Sequence, residues 1–301
     1  MALSEVETGR AHDAALGIDR ITANDGAGCL SLSTAAGWNQ TADDWRFFIE
    51  QGHGVGCRDA SGRLVATAAA LPYGSDLGWI SMVLVAAEAR HRGLATALLG
   101  DCIEALRATG RAPVLDATPA GAEVYRRFGF VAGFGFERWQ GECAANDAAG
   151  VSVNAANGIV EGDVEDGDTI AALDAAASGI DRRALMRAFA SRPSTRVWLT
   201  AERTGFAIAR AGTRATQIGP VVAATQSDAV ALLEKALDAV RGPVFVDVPV
   251  RAGAVAGAVA GVLAERGFTR QRPFTRMAQR AGVAVLAKSE RVHALAGPEF
   301  G

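Results

Sequence analysis

Residues 88–99 read EARHRGLATALL, and the chain on either side of them decides the fold. Ahead of them lies an apolar run, WISMVLV at 79–85. Behind Gly93, the positions Leu94, Leu98, Leu99, Cys102, Ile103 and Leu106 recur at helical spacing while Asp101, Glu104 and Arg107 fall on the opposite face. A strand therefore gives way to an amphipathic helix, with Arg90, His91, Arg92 and Gly93 crowded at the junction. The first N–H groups of a helix have no partner within it, and the helix dipole favours negative charge at that end. The junction thus has the chemistry of an anion site, to which two arginines add charge and a glycine gives close access to the backbone.

Working outward, residues 54–71 (GVGCRDASGRLVATAAAL) read as a hairpin turning at Asp59, Ser61 and Gly62. Beyond the helix, Gly110 and Pro113 end the segment, and Val114 to Ala117 form a short buried strand. Thr118 then caps a helix with Pro119 in its first turn and Gly129 at its end. FVAGFGFERW at 130–139 closes the unit as a further strand.

After a small, polar stretch at 141–158 the same order begins again. RVWLT (196–200) and GFAIAR (205–210) flank a turn, QIGPVVA (217–223) is a strand, Ser227 caps a helix, and VFVDV (244–248) is the next strand. Arg266-Gly267-Phe268 echoes Phe128-Gly129-Phe130. The boundaries that follow are a first domain at 1–142, a linker at 143–157 and a second domain at 158–301. Aligning the leucine pairs 98/99 and 232/233 against the strands 83–85 and 221–223 makes the second strand-to-helix loop four residues shorter. It has neither glycine nor arginine, so the anion cradle is not repeated at 224–229. The Ala/Gly/Val helix at 252–264 allows close backbone approach, to the first domain or to a second subunit, although low-complexity composition accounts for it equally.

Half of the 301 residues are apolar and the net charge is −3, which suits two ordinary cores and argues against nucleic acid or an anionic membrane as a partner. Cys29, Cys57, Cys102 and Cys143 form no C-x-x-C pair, and the four histidines are scattered, so neither a disulfide framework nor a metal site is expected. The N-terminus has no leader pattern and the longest small-residue run is too short for a bilayer, giving an expectation of a cytoplasmic protein.

Val83-Leu84-Val85, then Arg90-His91-Arg92-Gly93-Leu94-Ala95, then Tyr125 four residues before Gly129-Phe130 together resemble the GNAT superfamily of acyl-CoA-dependent N-acyltransferases and its [R/Q]-x-x-G-x-[G/A] motif. The fold class this implies is α/β (α+β): tandem GNAT-like folds, each a mixed, mostly antiparallel sheet flanked by helices. The layout and the tail AGPEFG (296–301) further resemble a two-domain bacterial subfamily whose second GNAT-like domain is degenerate. Two positions depart from the common pattern: Ala87 replaces a frequent proline, and Thr118 stands where an asparagine is usual.

The resemblance implies acetyl-CoA as co-substrate, held by Val83, Val85, Arg90, His91, Arg92, Gly93, Leu94, Ala95, Thr96 and Thr118. It implies Tyr125 as catalytic acid, since a tyrosine of pKa about 10 placed at the sulfur can protonate a thiolate whose conjugate acid titrates near 8.5; a core tyrosine is the other reading of that position. The segment GWNQTADDW (37–45) falls where the family's first helices wall the acceptor pocket, making Trp38 and Trp45 candidate lining residues, or simply core packing. Asp247 sits before Pro249 much as Asp116 precedes Pro119, either to face the acceptor or to cap the next helix. Glu50, Asp76 and Glu88 are candidate bases by position. The expected activity is direct acetyl transfer to a primary amine of a small molecule or amino acid derivative, by a monomer or homodimer. The alternative is a non-catalytic acyl-CoA-binding module.

Overall fold

The computed structural model describes residues 17–144, 158–250, 257–279 and 289–301. The first half runs β1 (Ile18–Arg20), α1 (Gly26–Ala35), α2 (Ala42–Gln51), β2 (His53–Arg58), β3 (Leu64–Tyr73), β4 (Leu77–Val85), α3 (Leu94–Ala108), β5 (Ala112–Ala117), α4 (Pro119–Arg127) and β6 (Val131–Cys143). The second runs β7 (Ile159–Gly162), α5 (Gly167–Ser178), α6 (Arg183–Ala190), β8 (Thr195–Thr200), β9 (Phe206–Arg210), β10 (Thr216–Val222), α7 (Gln226–Ala239), β11 (Gly242–Pro249), α8 (Ala258–Glu265), β12 (Thr269–Ala278) and β13 (Val292–Ala294).

Local chemistry accounts for the turns and caps. The Asp59 carboxylate accepts hydrogen bonds from the backbone of Ser61 and Arg63, which folds the β2–β3 turn. Thr118 caps α4 through the Gly121 N–H at 3.2 Å, with Pro119 at the first helical position. The α7 cap is Thr225 rather than Ser227: its extended backbone places the hydroxyl 3.1 Å from the Asp228 N–H, whereas Ser227 already lies inside the helix.

All the strands join one mixed sheet in the order β1-β2-β3-β4-β5-β12-β6-β11-β10-β9-β8-β7, with β13 added against β10. Among the described residues the parallel pairs are β4–β5 and β10–β11, and the other pairs are antiparallel. The fold class is that anticipated, a mostly antiparallel sheet flanked by helices.

The topology adds a feature that periodicity does not encode. Strand β12 of the second half lies between β5 and β6, and β6 of the first half lies between β12 and β11. Each half has given one strand to the other, β6 from the first and β12 from the second. The cores follow suit: Trp139 on β6 packs in the cluster under α7 and α8, and Met277 on β12 packs in the cluster under α3 and α4. A third cluster joins residues from both halves, Trp45, Phe48, Trp79, Phe189, Phe206 and Phe300 among them.

Two boundary expectations change. Cys143, taken as the start of the linker, closes β6 opposite Gly242, and residues 145–157 lie outside the described residues. Of the helix expected at 252–264, residues 252–256 lie outside the described residues. The remainder, α8, buries Val259, Ala260 and Leu263 in the core it shares with α7. Its apolar face is spent in that core, against α7 and the sheet, with Trp139 of the first half in the same cluster.

Candidate active site

Strand β4 does not run straight past β3. Register jumps from Thr67 opposite Leu84 to Ala69 opposite Ser81, so Met82 and Val83 together face one residue, and Met82 takes a φ of 55°. The Thr67 hydroxyl donates to the Met82 carbonyl at 2.9 Å and fixes this bulge. On the other side, β4 pairs with β5 only from Leu77/Ala112 to Trp79/Val114. Beyond that point the strands diverge, and the bulged segment around Val83 faces the opening rather than a ladder partner.

Residues 86–93 then lead into α3. His91 (φ 63°) and Gly93 (φ 78°) both occupy the left-handed region, which turns the backbone sharply before the helix. A Cβ at 93 would meet no neighbouring atom; within the chain, glycine belongs there for its dihedral angle rather than for space. No side chain caps α3 and its first turn carries no acid, so its leading N–H groups stay available to a ligand. Arg90, His91, Arg92, Gly93 and Thr96 are exposed, Ala95 is half-buried, and Leu94 is a core residue that offers the loop only its backbone. Arg90 reaches back to the Val85 carbonyl at 3.4 Å.

A cavity of about 440 Å³ opens beside the bulge, a volume suited to a small ligand. Among the sequence-predicted residues it is lined by Trp38, Val83, Thr118 and Tyr125. Tyr125 lies on α4, its ring 6.1 Å from that of Phe130; a side chain in place of Gly121 would press on that ring at 3.0 Å. Burial raises the pKa of Tyr125 above its usual value of 10. Val85 and the 90–96 loop continue from the bulge toward the exposed start of α3 and form a separate stretch of the same strand-to-helix path.

Two predicted lining residues are elsewhere. Trp45 is 1% exposed, packed in the shared core with its indole N–H donating to the Ser33 hydroxyl at 3.0 Å. On α2 it points inward with Phe48 on the helical repeat, so its bulk builds the core rather than the pocket. Asp247 is fully buried and faces no solvent: both its oxygens accept from Arg138, at 2.9 and 2.7 Å, and Gln217 donates to one of them at 3.1 Å. It neither meets an acceptor nor caps a helix. The three candidate bases also fall outside the cavity. Glu50 and Asp76 are exposed, and Glu88 pairs with Arg63 at 2.7 Å on the outer surface. The backbone of Glu88 and then Arg63 hold its carboxylate below the usual range.

What sequence reading did not supply is the contribution of the second half and of the exchanged strands. Arg138 on β6, Phe245 on β11, Arg272 and Phe274 on β12, Arg214 between β9 and β10, and Glu299 of the tail all line the cavity. Asn39 ties the two halves at its rim, its amide oxygen accepting from the backbone of Arg214 and Ala215 and its amide nitrogen donating to the Ala215 carbonyl. Gly212 permits that contact, since a Cβ there would lie 2.2 Å from Asn39. The available signal was an arginine inside an aromatic strand, FGFERW and again RQRPF.

The second half is built differently at the matching place. Residues 223–225 replace the eight-residue 86–93 loop, a shortening of five where four was expected. The start of α7 is already occupied by Thr225 and Asp228. The gap where β10 and β11 diverge is filled by the chain itself: β13 pairs with β10 at Val221/Ala294 and Val222/Val292, and Leu295 bridges to Asp247. A Cβ at Gly219 would collide with the Leu295 carbonyl at 1.9 Å. From there the tail crosses to the first half, where the Trp79 indole donates to the Pro298 carbonyl at 3.1 Å and the Tyr73 hydroxyl to the Phe300 carbonyl at 2.9 Å.

Comparison with known proteins agrees with this architecture. A family model described as acetyltransferase (GNAT) family matches residues 30–130, and a second, described as acetyltransferase (GNAT) domain, matches residues 170–292. No curated protein matches. Among solved structures, a Pyrococcus horikoshii protein provisionally described as an acetyltransferase is 19% identical, with 99% of each chain covered and a TM-score of 0.77. A tandem GNAT protein from the clavulanic acid biosynthesis pathway is 17% identical over 89% of this chain and 99% of its own, with a TM-score of 0.60. A GCN5-related N-acetyltransferase from Sphaerobacter thermophilus is 15% identical over 88% and 96%, with a TM-score of 0.58. The bulged and diverging strand, the uncapped helix start and the repeated topology thus have one common origin: the chain belongs to the GNAT superfamily and carries two GNAT domains in tandem.

Proposed function

We propose that this protein is an acetyl-CoA-dependent N-acetyltransferase that moves the acetyl group directly to a primary amine of a small molecule or amino acid derivative. The observation that carries this reading is the continuity of the first half's path. The open N–H groups of α3 lead along β4 to the bulge at Val83, and the bulge opens onto the cavity that holds Tyr125. The pyrophosphate is received by the backbone of residues 92–96 with charge from Arg90 and Arg92. The N–H groups at Val83 and Val85 receive the thioester oxygen.

The amine nitrogen attacks the carbonyl carbon, the carbon–sulfur bond breaks, and the Tyr125 hydroxyl gives its proton to the departing sulfur. The proton released by the amine restores the tyrosine through solvent. Burial keeps Tyr125 protonated at neutral pH, which suits an acid. Trp38 walls the acceptor side. The second half, with its donors capped and its gap filled by β13, contributes walls rather than a second cofactor site. No helix among the described residues is long and apolar enough to cross a membrane, and we assign the protein to the cytoplasm, acting on a small molecule as a monomer or homodimer.

Calorimetric titration with acetyl-CoA tests this directly. One site per chain, abolished by Gly93→Asp, is expected. Two sites would overturn the account of the second half, and no binding would overturn the activity. Binding without any amine-dependent release of coenzyme A would favour a non-catalytic sensor.

A further inference from the structure

The charges around the cavity do not balance. Asp116 lines it, but both of its oxygens accept from Arg276, at 3.0 Å each. Arg138 is matched by Asp247 in the same bidentate way. Glu299 accepts from Arg210 at 3.1 Å, and Arg210 lies 3.6 Å from Asp44, which also pairs with Arg192 at 2.7 Å. Pairing these groups off leaves Arg214 and Arg272, which line the cavity and form no ion pair with a carboxylate among the described residues, Asp247 and Glu299 attracting Arg272 only from beyond contact.

Arg272 is the more telling of the two. Its Nε is buried and makes no hydrogen bond, and its guanidinium rests on the Phe274 ring, 5.2 Å from the centroid. Burial, and after it the repulsion of Arg138, depresses its pKa. A partly desolvated cation that forms no ion pair costs stability. A fold that retains one at the wall of a substrate-sized cavity has a use for it.

Resting on the activity proposed above, we infer that the acceptor amine also bears a carboxylate, as a free amino acid or a derivative with a free acid does, and that Arg272 binds this group with Arg214 at the cavity rim. A carboxylate matches the fork of a guanidinium in two parallel hydrogen bonds. It would supply the negative charge that the wall lacks and would orient the amine toward the bulge at Val83. Selection then comes from the second half: Arg272 arrives on the exchanged strand β12 and Arg214 on the β9–β10 loop, while the first half holds the acetyl donor.

The test separates this claim from the activity on which it rests. Product-like probes, the N-acetyl derivatives of glycine, leucine, phenylalanine and glutamate, are titrated by calorimetry in the presence of coenzyme A, each as free acid and as amide. At least one acid should bind roughly tenfold or more tightly than its amide, and Arg272→Gln should erase that preference while leaving the acetyl-CoA Kd unchanged. Because the arginine is unpaired, the variant should keep or raise the melting temperature, and Arg272→Lys should recover part of the preference. Equal binding of acids and amides, or no saturation by any acid at millimolar concentration, overturns the inference. Amine-dependent release of coenzyme A from amides and simple alkylamines as fast as from amino acids leaves the activity standing and removes the carboxylate requirement. An acid preference without acetyl-CoA binding does the reverse.

Discussion

Tyr125 shows how one side chain's surroundings set its chemistry. Burial lifts its pKa above 10, so its proton stays in place through the range in which amines become nucleophilic. The sign is simple: an acid with a raised pKa is lost only above that value, so kcat should not decline between pH 7 and about 10 on account of this residue. Tyr125→Phe should lower kcat by about 10²-fold or more while the acetyl-CoA Kd is unchanged, measured by steady-state kinetics beside calorimetry. Unchanged turnover would reduce Tyr125 to packing against Phe130. The cysteines behave in the opposite sense, since a thiol must ionise to react. Burial pushes Cys29 and Cys102 up to about 12 and raises Cys57 as well. Burial raises Cys143 too, but it is the one cysteine that is only half-buried, so an aromatic disulfide reagent at pH 8 should modify it first, on grounds of access, and reach the other three only in denaturant.

Two helix starts, built from similar sequence patterns, are prepared for opposite tasks. At α3 a left-handed glycine precedes donors that no side chain satisfies; at α7 a threonine caps them and Asp228 adds negative charge. Gly93→Ala forces an alanine to φ 78°, at a cost of roughly 1–2 kcal/mol if the conformation is kept, and the loop should relax away from it. Its acetyl-CoA affinity should fall by about tenfold. Thr225→Ala should cost about 1 kcal/mol of stability and leave the binding stoichiometry at one per chain. Calorimetry and thermal melts of the two variants check the contrast. These elements were legible in the sequence because a helix's apolar period and a glycine before it are local signals. Thr225 was misplaced by two residues because threonine and serine are both good caps, and only backbone conformation chooses between them. The cavity's second wall was not legible at all. Arg138 and Arg272 sit on strands whose period-two pattern says which face they occupy but not which strand lies alongside.

Across the whole molecule, that missing information is the exchange of β6 and β12. Asp116 on β5 meets Arg276 on β12, and Asp247 on β11 meets Arg138 on β6, each as a direct cross-strand partner. The echo between Asp116 and Asp247 in the sequence thus marks a pair of buried ion pairs, one at each seam. A one-residue slip at either seam would place an arginine on the wrong face and leave a carboxylate buried alone, so the pairs fix the register of the exchange. Asp247→Asn should destabilise the protein by about 3–5 kcal/mol, since it strands the Arg138 charge in the interior, and Trp139→Ala should cost a similar amount, about 3–5 kcal/mol, by opening a cavity in the other half's core. Both losses should appear as a shift of one transition. Because each core contains a side chain delivered by the opposite half, neither can melt while its partner stays folded, and a calorimetric scan should show a single cooperative peak whose calorimetric and van't Hoff enthalpies agree. Two resolved peaks would mean that the exchanged strands contribute little to either core. The same coupling predicts that residues 17–144 and 158–301, expressed separately, each fail to give a cooperative transition, and that expressing them together restores both the transition and acetyl-CoA binding.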